Sequence, residues 1–265
     1  MDLTALCRTV VAAFSMFSAI PVPHIDWSKT NLRYVLCALP LVGAVIGAAM
    51  ALWLAVAGLL SISAVPTGAV LALLPLLLSG GVHMDGYLDV ADALMSRGDA
   101  EKKRAVLKDP RCGAGAVMAG GAYLLLSAAF FTEAAAHPGA FPALCLSPVL
   151  SRVAAALCTV WPAESAESAK GNGLLHTFRE AADTRGVLWT LLGWALAAAA
   201  LSAVFSPAYL PALLLGPAGA LLLARRTAEK HFGGMSGDLA GYAVQLSELC
   251  TLVLAVLTER LVALV

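Results

Sequence analysis

Two long stretches of the chain, residues 34–84 and 186–224, contain no Asp, Glu, Lys or Arg. A bilayer's hydrocarbon core of ~30 Å takes about 20 apolar residues per helix, so each stretch predicts two membrane-spanning helices. The turns between them are expected in "SISAVPTG" (61–68) and "FSPAYLP" (205–211), both uncharged and containing proline. Further spans are expected at about 114–133, 142–161 and 244–263, while residues 4–20 form either another span or a helix lying in the interface. No cleavable signal peptide is expected, because no basic segment precedes the first apolar run. The predicted fold is an all-α polytopic membrane bundle of about six to eight membrane helices, one integral-membrane domain over residues 1–265.

Between the silent stretches the charge is clustered. Of the 17 cations, all but Arg8, Arg152 and Arg260 fall within 24–33, 83–113, 162–186 and 225–243, whereas the turns at 61–66, 134–141 and 205–209 hold none. Lys and Arg are retained on the cytoplasmic side, so the four charged segments predict one common cytoplasmic face. Two crossings separate each from the next, which keeps that topology self-consistent.

Composition removes the main alternatives. With 60% hydrophobic residues, 13% charged and a mean hydropathy of +0.84, the chain is no soluble monomer and no disordered segment. A net charge of zero gives no bulk attraction to nucleic acid. The six cysteines are scattered without a CxxC pair and read as small apolar residues. Gly43 and Gly47 have the GxxxG spacing of close helix packing, a weak signal in a chain with 23 glycines.

The chemistry is concentrated in "GGVHMDGYLDVADAL" (80–94). Asp85, Asp89 and Asp92 stand at i, i+4 and i+7, which stacks three carboxylates on one helical face. Three like charges repel unless a cation lies among them, and an all-oxygen donor set suits Mg²⁺ or Mn²⁺. The stripe follows a long charge-free run, so it begins at the membrane boundary, where carboxylates are expensive and functional. His83, two residues earlier, reads as a general base, a phosphate contact or a hydrogen-bonding residue. In "DPRCGAG" (109–115), Asp109 and Arg111 flank a proline, and Gly113 opens the next span. Arg111 offers a planar fork to phosphate, and glycines leave helix N-terminal N–H groups approachable by an anion.

Other polar positions lie in apolar surroundings. Arg152 falls inside a predicted span and needs either an intramembrane carboxylate or an anionic substrate. Asp238 and Glu248, with Gly241 and Gln245 between them, share one helical face behind a glycine-rich entry that includes Gly234. The expectation is a single polar cavity: Asp238 completes a metal shell or acts as base, and Glu248 holds Arg152. Asn172 lies in "KGNGLLHTFREAADTRG" (170–186), which reads as a mobile loop able to cover a nucleotide or as an ordinary connector.

With these motifs in hand, the chain resembles the cobalamin synthase (adenosylcobinamide-GDP ribazoletransferase) family almost end to end. The likeness rests on "FSAIPVP" (17–23), "LPLVGAVIGA" (39–48), the HxDGxxDxxD core, "DPRCGAG", "SR" (151–152), "GNGLLHTF" (171–178) and "GGMSGDLAGYAVQLSE" (233–248). It implies a Mg²⁺-dependent transfer in the bacterial inner membrane. The adenosylcobinamide phosphate of adenosylcobinamide-GDP passes to α-ribazole or its 5′-phosphate, and GMP is released. It implies these substrates and the lipid bilayer as partners, and leaves open self-association or association with other cobalamin-assembly enzymes. Asp85, Asp89 and Asp92 would carry the metal, and Asp109, Arg111, Gly113, Arg152, Asn172, Gly234 and Glu248 would line the substrate. The base is left open among Asp238, His83 and Asp92. The stripe is also similar to that of CDP-alcohol phosphotransferases, whose remaining spacing is not reproduced. A secondary transporter is disfavoured because polar residues do not run through the full membrane depth.

Overall fold

The computed structural model describes residues 3–25, 32–160, 174–262 and 264; the Asn172 expectation falls outside them. Eleven α-helices lie among these residues: α1 (Leu3–Phe17), α2 (Val35–Leu59), α3 (Ala64–Leu78), α4 (Val82–Met95), α5 (Ala100–Leu107), α6 (Ala114–Ala136), α7 (Phe141–Val160), α8 (Leu174–Ala181), α9 (Thr184–Phe205), α10 (Leu210–Thr227) and α11 (Gly237–Val262). No strand occurs among the described residues. Six helical segments are long and apolar enough to cross a membrane, or seven if the bent pair α3–α4 counts as one. The chain is a multi-pass membrane protein.

The charge-free runs become helices as their length dictates. The first turns at Leu60–Ser63, where Ser61 has φ 53°, and the second at the short 3₁₀ turn Pro207–Tyr209. α1 has 15 residues, about 22 Å of helix, too short to cross a ~30 Å core. It packs instead against α2, burying Thr9, Ala12 and Ala13.

At the centre lies α7. The span Pro138–Val160 is 83% buried by its neighbours, whereas Thr184–Phe205 is 22% buried and faces outward. α2 runs along α7, and Gly43 and Gly47 are what let them approach. A Cβ at Gly43 would collide with the carbonyl of Pro148, and one at Gly47 with that of Cys145. The GxxxG spacing is therefore a genuine packing face.

A difference from the expected helix ends positions the acidic motif. The second span stops at Leu78, and α4 departs from α3 at 95°. Gly80 and Gly81 have φ of 65° and 76°, left-handed backbone that glycine adopts freely and other residues rarely do. At the other junction α10 continues into one π-helical turn, Ala228–Phe232, ended by Gly233 at φ 74° and Gly234 at φ 150°. Each acidic helix, α4 and α11, is thus entered through two positive-φ glycines.

Candidate active site

α4 and the first turns of α11 cross almost backbone to backbone. A Cβ at Gly86 would lie 2.7 Å from Cα of Asp238, and one at Gly241 would lie 2.9 Å from the carbonyl oxygen of His83. No side chain can intervene at such a crossing, so Asp85 and Asp89, on either side of Gly86, are brought to Asp238. The charges of Asp85, Asp238 and Asp92 all bear on Asp89, which is half-buried. Asp85 is exposed at the rim. The helices that carry the two distant acidic motifs therefore meet, at Gly86 and Asp238.

Asp92 lies at the other end of the stripe, against α6. Its Oδ1 accepts from the Ala116 backbone N–H at 3.3 Å, and a Cβ at Gly115 would lie 2.7 Å from that same oxygen. A Cβ at Gly113 would also strike this carboxylate. The α6 N-terminus, expected to offer its N–H groups to a phosphate at Gly113, thus receives the Asp92 carboxylate, a favourable end for a negative charge. Nothing in the sequence marks a cap supplied from 24 residues upstream.

Arg111 and Asp109 engage each other. The Arg111 backbone N–H and Nε donate to Asp109 Oδ1 at 3.0 and 2.9 Å, and a terminal guanidinium nitrogen donates to Oδ2 at 2.8 Å. Hydrogen bonds from the guanidinium, then from the backbone, hold the Asp109 carboxyl down at about 2. The arginine side chain remains 86% exposed. Gly234 serves the backbone: its N–H donates to the Ala228 carbonyl at 3.2 Å and closes the π-turn before α11.

Deeper in the bundle, Arg152 on α7 is fully buried and forms an ion pair with Glu248 on α11. Ser151 bridges them, donating to Glu248 Oε1 at 3.0 Å and accepting from Arg152 at 2.9 Å. Nε and the second terminal nitrogen of Arg152 have no protein partner. A cavity of about 20 Å³ adjoins Glu248, lined also by Tyr123, Ser127 and Ser147, enough for roughly one water. In the sequence, Ser151 stood within a motif without a role of its own, and Tyr123 lay outside the candidate site altogether.

His83 lies between the two regions. It is buried, its Nε2 has no partner, and the Arg152 charge reaches it. Phe17 stacks on its ring at 6.2 Å and in turn contacts Phe178 of α8 at 5.9 Å. The C-terminal end of α1 and the helix before α9 are thereby tied to α4 through three rings. Single aromatics in apolar sequence gave no hint of this.

Among the described residues no three His, Cys, Asp or Glu side chains are gathered closely enough, as they stand, to hold a metal ion. The chemistry of the donor set still fits a hard divalent cation: four carboxylates of one sign, oxygen donors only, around Asp89.

The chain matches the cobalamin-5-phosphate synthase family model over residues 9–256. It is 34% identical over 250 residues to the adenosylcobinamide-GDP ribazoletransferase of Lachnoclostridium phytofermentans, covering 94% of each chain. To the proteins of that name from Geobacillus kaustophilus and Geobacillus thermodenitrificans it is 33% and 34% identical, over 89% of this chain and 90% of theirs. No solved structure matches it significantly. With the acidic helices, their glycine entries and nearly the whole length accounted for, the chain belongs to the cobalamin-5-phosphate synthase family.

Proposed function

We propose that the protein is an adenosylcobinamide-GDP ribazoletransferase. A hydroxyl of α-ribazole or its 5′-phosphate attacks the cobinamide-side phosphorus of adenosylcobinamide-GDP. The new P–O bond forms as the bridging P–O bond breaks, GMP leaves, and the hydroxyl proton passes to a base. The observation that carries this reading is the crossing at Gly86 and Asp238, which assembles two acidic motifs about 150 residues apart into one carboxylate cluster in a family whose named members perform this transfer.

Such a transfer asks little covalent work of the protein; positioning and charge neutralisation dominate. Asp85, Asp89 and Asp92 would hold Mg²⁺, with Asp238 facing them from α11. When bound, the ion supplies charge neutralisation at the diphosphate oxygens. Asp238, partly shielded and beside the stripe, would take the proton of the attacking hydroxyl, and His83 Nε2, buried without a partner, is the other base near the crossing. The Asp109–Arg111 pair at the mouth of α6 can open to offer its guanidinium to a phosphate oxygen.

The carboxylates belong on the cytoplasmic face of the bacterial inner membrane. The support is the distribution of Lys and Arg, which favours the ends of the spans near α5 and α8 over the turns at 61–63 and 206–209. A cysteine introduced at position 100 of a cysteine-free protein should react only from the cytoplasm; labelling from the periplasm would reverse the topology.

The reaction itself is tested by GMP release from adenosylcobinamide-GDP by purified protein, with and without α-ribazole and Mg²⁺. Release that requires both is expected. Release without ribazole would mean hydrolysis, and CMP release from a CDP-lipid would transfer the chain to a different chemistry.

A further inference from the structure

The π-helical turn after α10 and the short helix α5 pack together, and both carry cations. π-turns are rare and concentrate at functional sites. Nζ of Lys103, on α5, lies 3.4 Å from Nδ1 of His231 on the turn. An ammonium group can only donate, so Nδ1 is the acceptor and the ring proton sits on Nε2. The pair then presents donors alone: two remaining N–H bonds of Lys103 and the Nε2–H of His231. Neither side chain faces a carboxylate among the described residues, and the charge of Lys230 bears on the same imidazole.

Two other cations of the 83–113 segment are already engaged. Lys102 donates to the Arg97 carbonyl at 2.9 Å, and Arg111 to Asp109. Lys103 and His231 also belong to the same rigid unit as the carboxylates. Val90 and Ala93 of α4, Ala228 and Phe232 of the π-turn and Leu239 of α11 form one small buried core, with Val106 and Leu107 of α5 against it. A cation serving only to anchor the chain to lipid headgroups needs no fixed partner.

We infer that Lys103 and His231, brought together by α5 and the π-turn, form a phosphate-binding subsite for the guanylate end of the diphosphate substrate. The inference rests on the transfer reaction proposed above. A carboxylate cluster cannot receive a diphosphate unaided, and a donor-only pair on the same unit supplies the complementary end.

The test is equilibrium binding of GMP to the purified full-length protein, alongside product inhibition by GMP. Lys103→Ala and His231→Ala should each weaken GMP binding and its inhibition roughly tenfold, the loss of one charge-assisted hydrogen bond. Lys103→Arg should retain most of the affinity, and half-saturation by α-ribazole should move less than about twofold. If an alanine variant fails to fold, Lys103→Gln and His231→Asn read the same quantity. Unchanged GMP binding in folded variants would overturn the subsite while leaving ribazole-dependent GMP release standing. So would variants whose one defect is weaker retention on vesicles containing phosphatidylglycerol, which would make the pair a lipid contact.

Discussion

Two polar clusters share α11 and stand about 15 Å apart along it, at Asp238 and at Glu248. At Glu248 the charges are opposite, buried and bridged by Ser151. At Asp238 they are alike, partly open, and crowd Asp89 from three directions. The first arrangement pairs its charges and locks α7 to α11. The second sets like charges against one another, so it is unfavourable in the protein alone. A buried pair of this kind specifies the packing, whereas an uncompensated cluster at an accessible edge holds free energy available for binding.

The two clusters should therefore respond to substitution with opposite signs in stability and activity. Asp89→Asn removes a charge that its neighbours repel. Turnover should fall by about a thousandfold, the worth of several kcal/mol of metal-assisted charge stabilisation, while thermal stability holds or rises. A variant that lost stability and activity together would erase the contrast. At the buried pair, Arg152→Ala or Glu248→Ala strands a charge in the bundle and should cost about 3–5 kcal/mol. The double replacement should lose much less than the sum, as read from unfolding in mild detergent; additive losses would show that the two do not act as a pair.

A smaller effect sharpens the comparison without touching any charge. Gly86→Ala pushes a methyl group toward Asp238 Cα, 2.7 Å away on backbone that cannot rotate aside. Separating α4 from α11 should cost about 1–3 kcal/mol and lower activity with every carboxylate still present. Gly121→Ala, which meets nothing within 4 Å, should be neutral or slightly stabilising. Equal behaviour of the two alanines in unfolding and turnover assays would mean that the crossing does not position the site.

Much of this was legible in the sequence because a bilayer imposes few solutions. Charge-free runs of known length must be helices, and an arginine inside a span needs an anionic partner; the sequence left a carboxylate or an anionic substrate open for Arg152, and the structure pairs it with Glu248. The stripe Asp85, Asp89, Asp92 was readable as one face through its spacing. What the sequence hid is geometry that leaves no periodic trace. The 95° bend depends on Gly80 and Gly81 adopting left-handed backbone, and two adjacent glycines do not by themselves announce a bend. The capping of α6 by Asp92 and the Lys103–His231 contact join residues 24 and 128 positions apart. The π-turn has no hydrophobic signature of its own.

The central claim is that α4 and α11 jointly form one cation site. Titration of Mn²⁺ into the purified protein, followed by electron paramagnetic resonance, tests it directly in wild type, Asp89→Asn and Asp238→Asn. Saturable binding in the wild type, weakened about tenfold or more by either substitution, is the expected result. Binding that survives Asp238→Asn unchanged, or a wild-type protein that binds no Mn²⁺ with or without adenosylcobinamide-GDP, would contradict it.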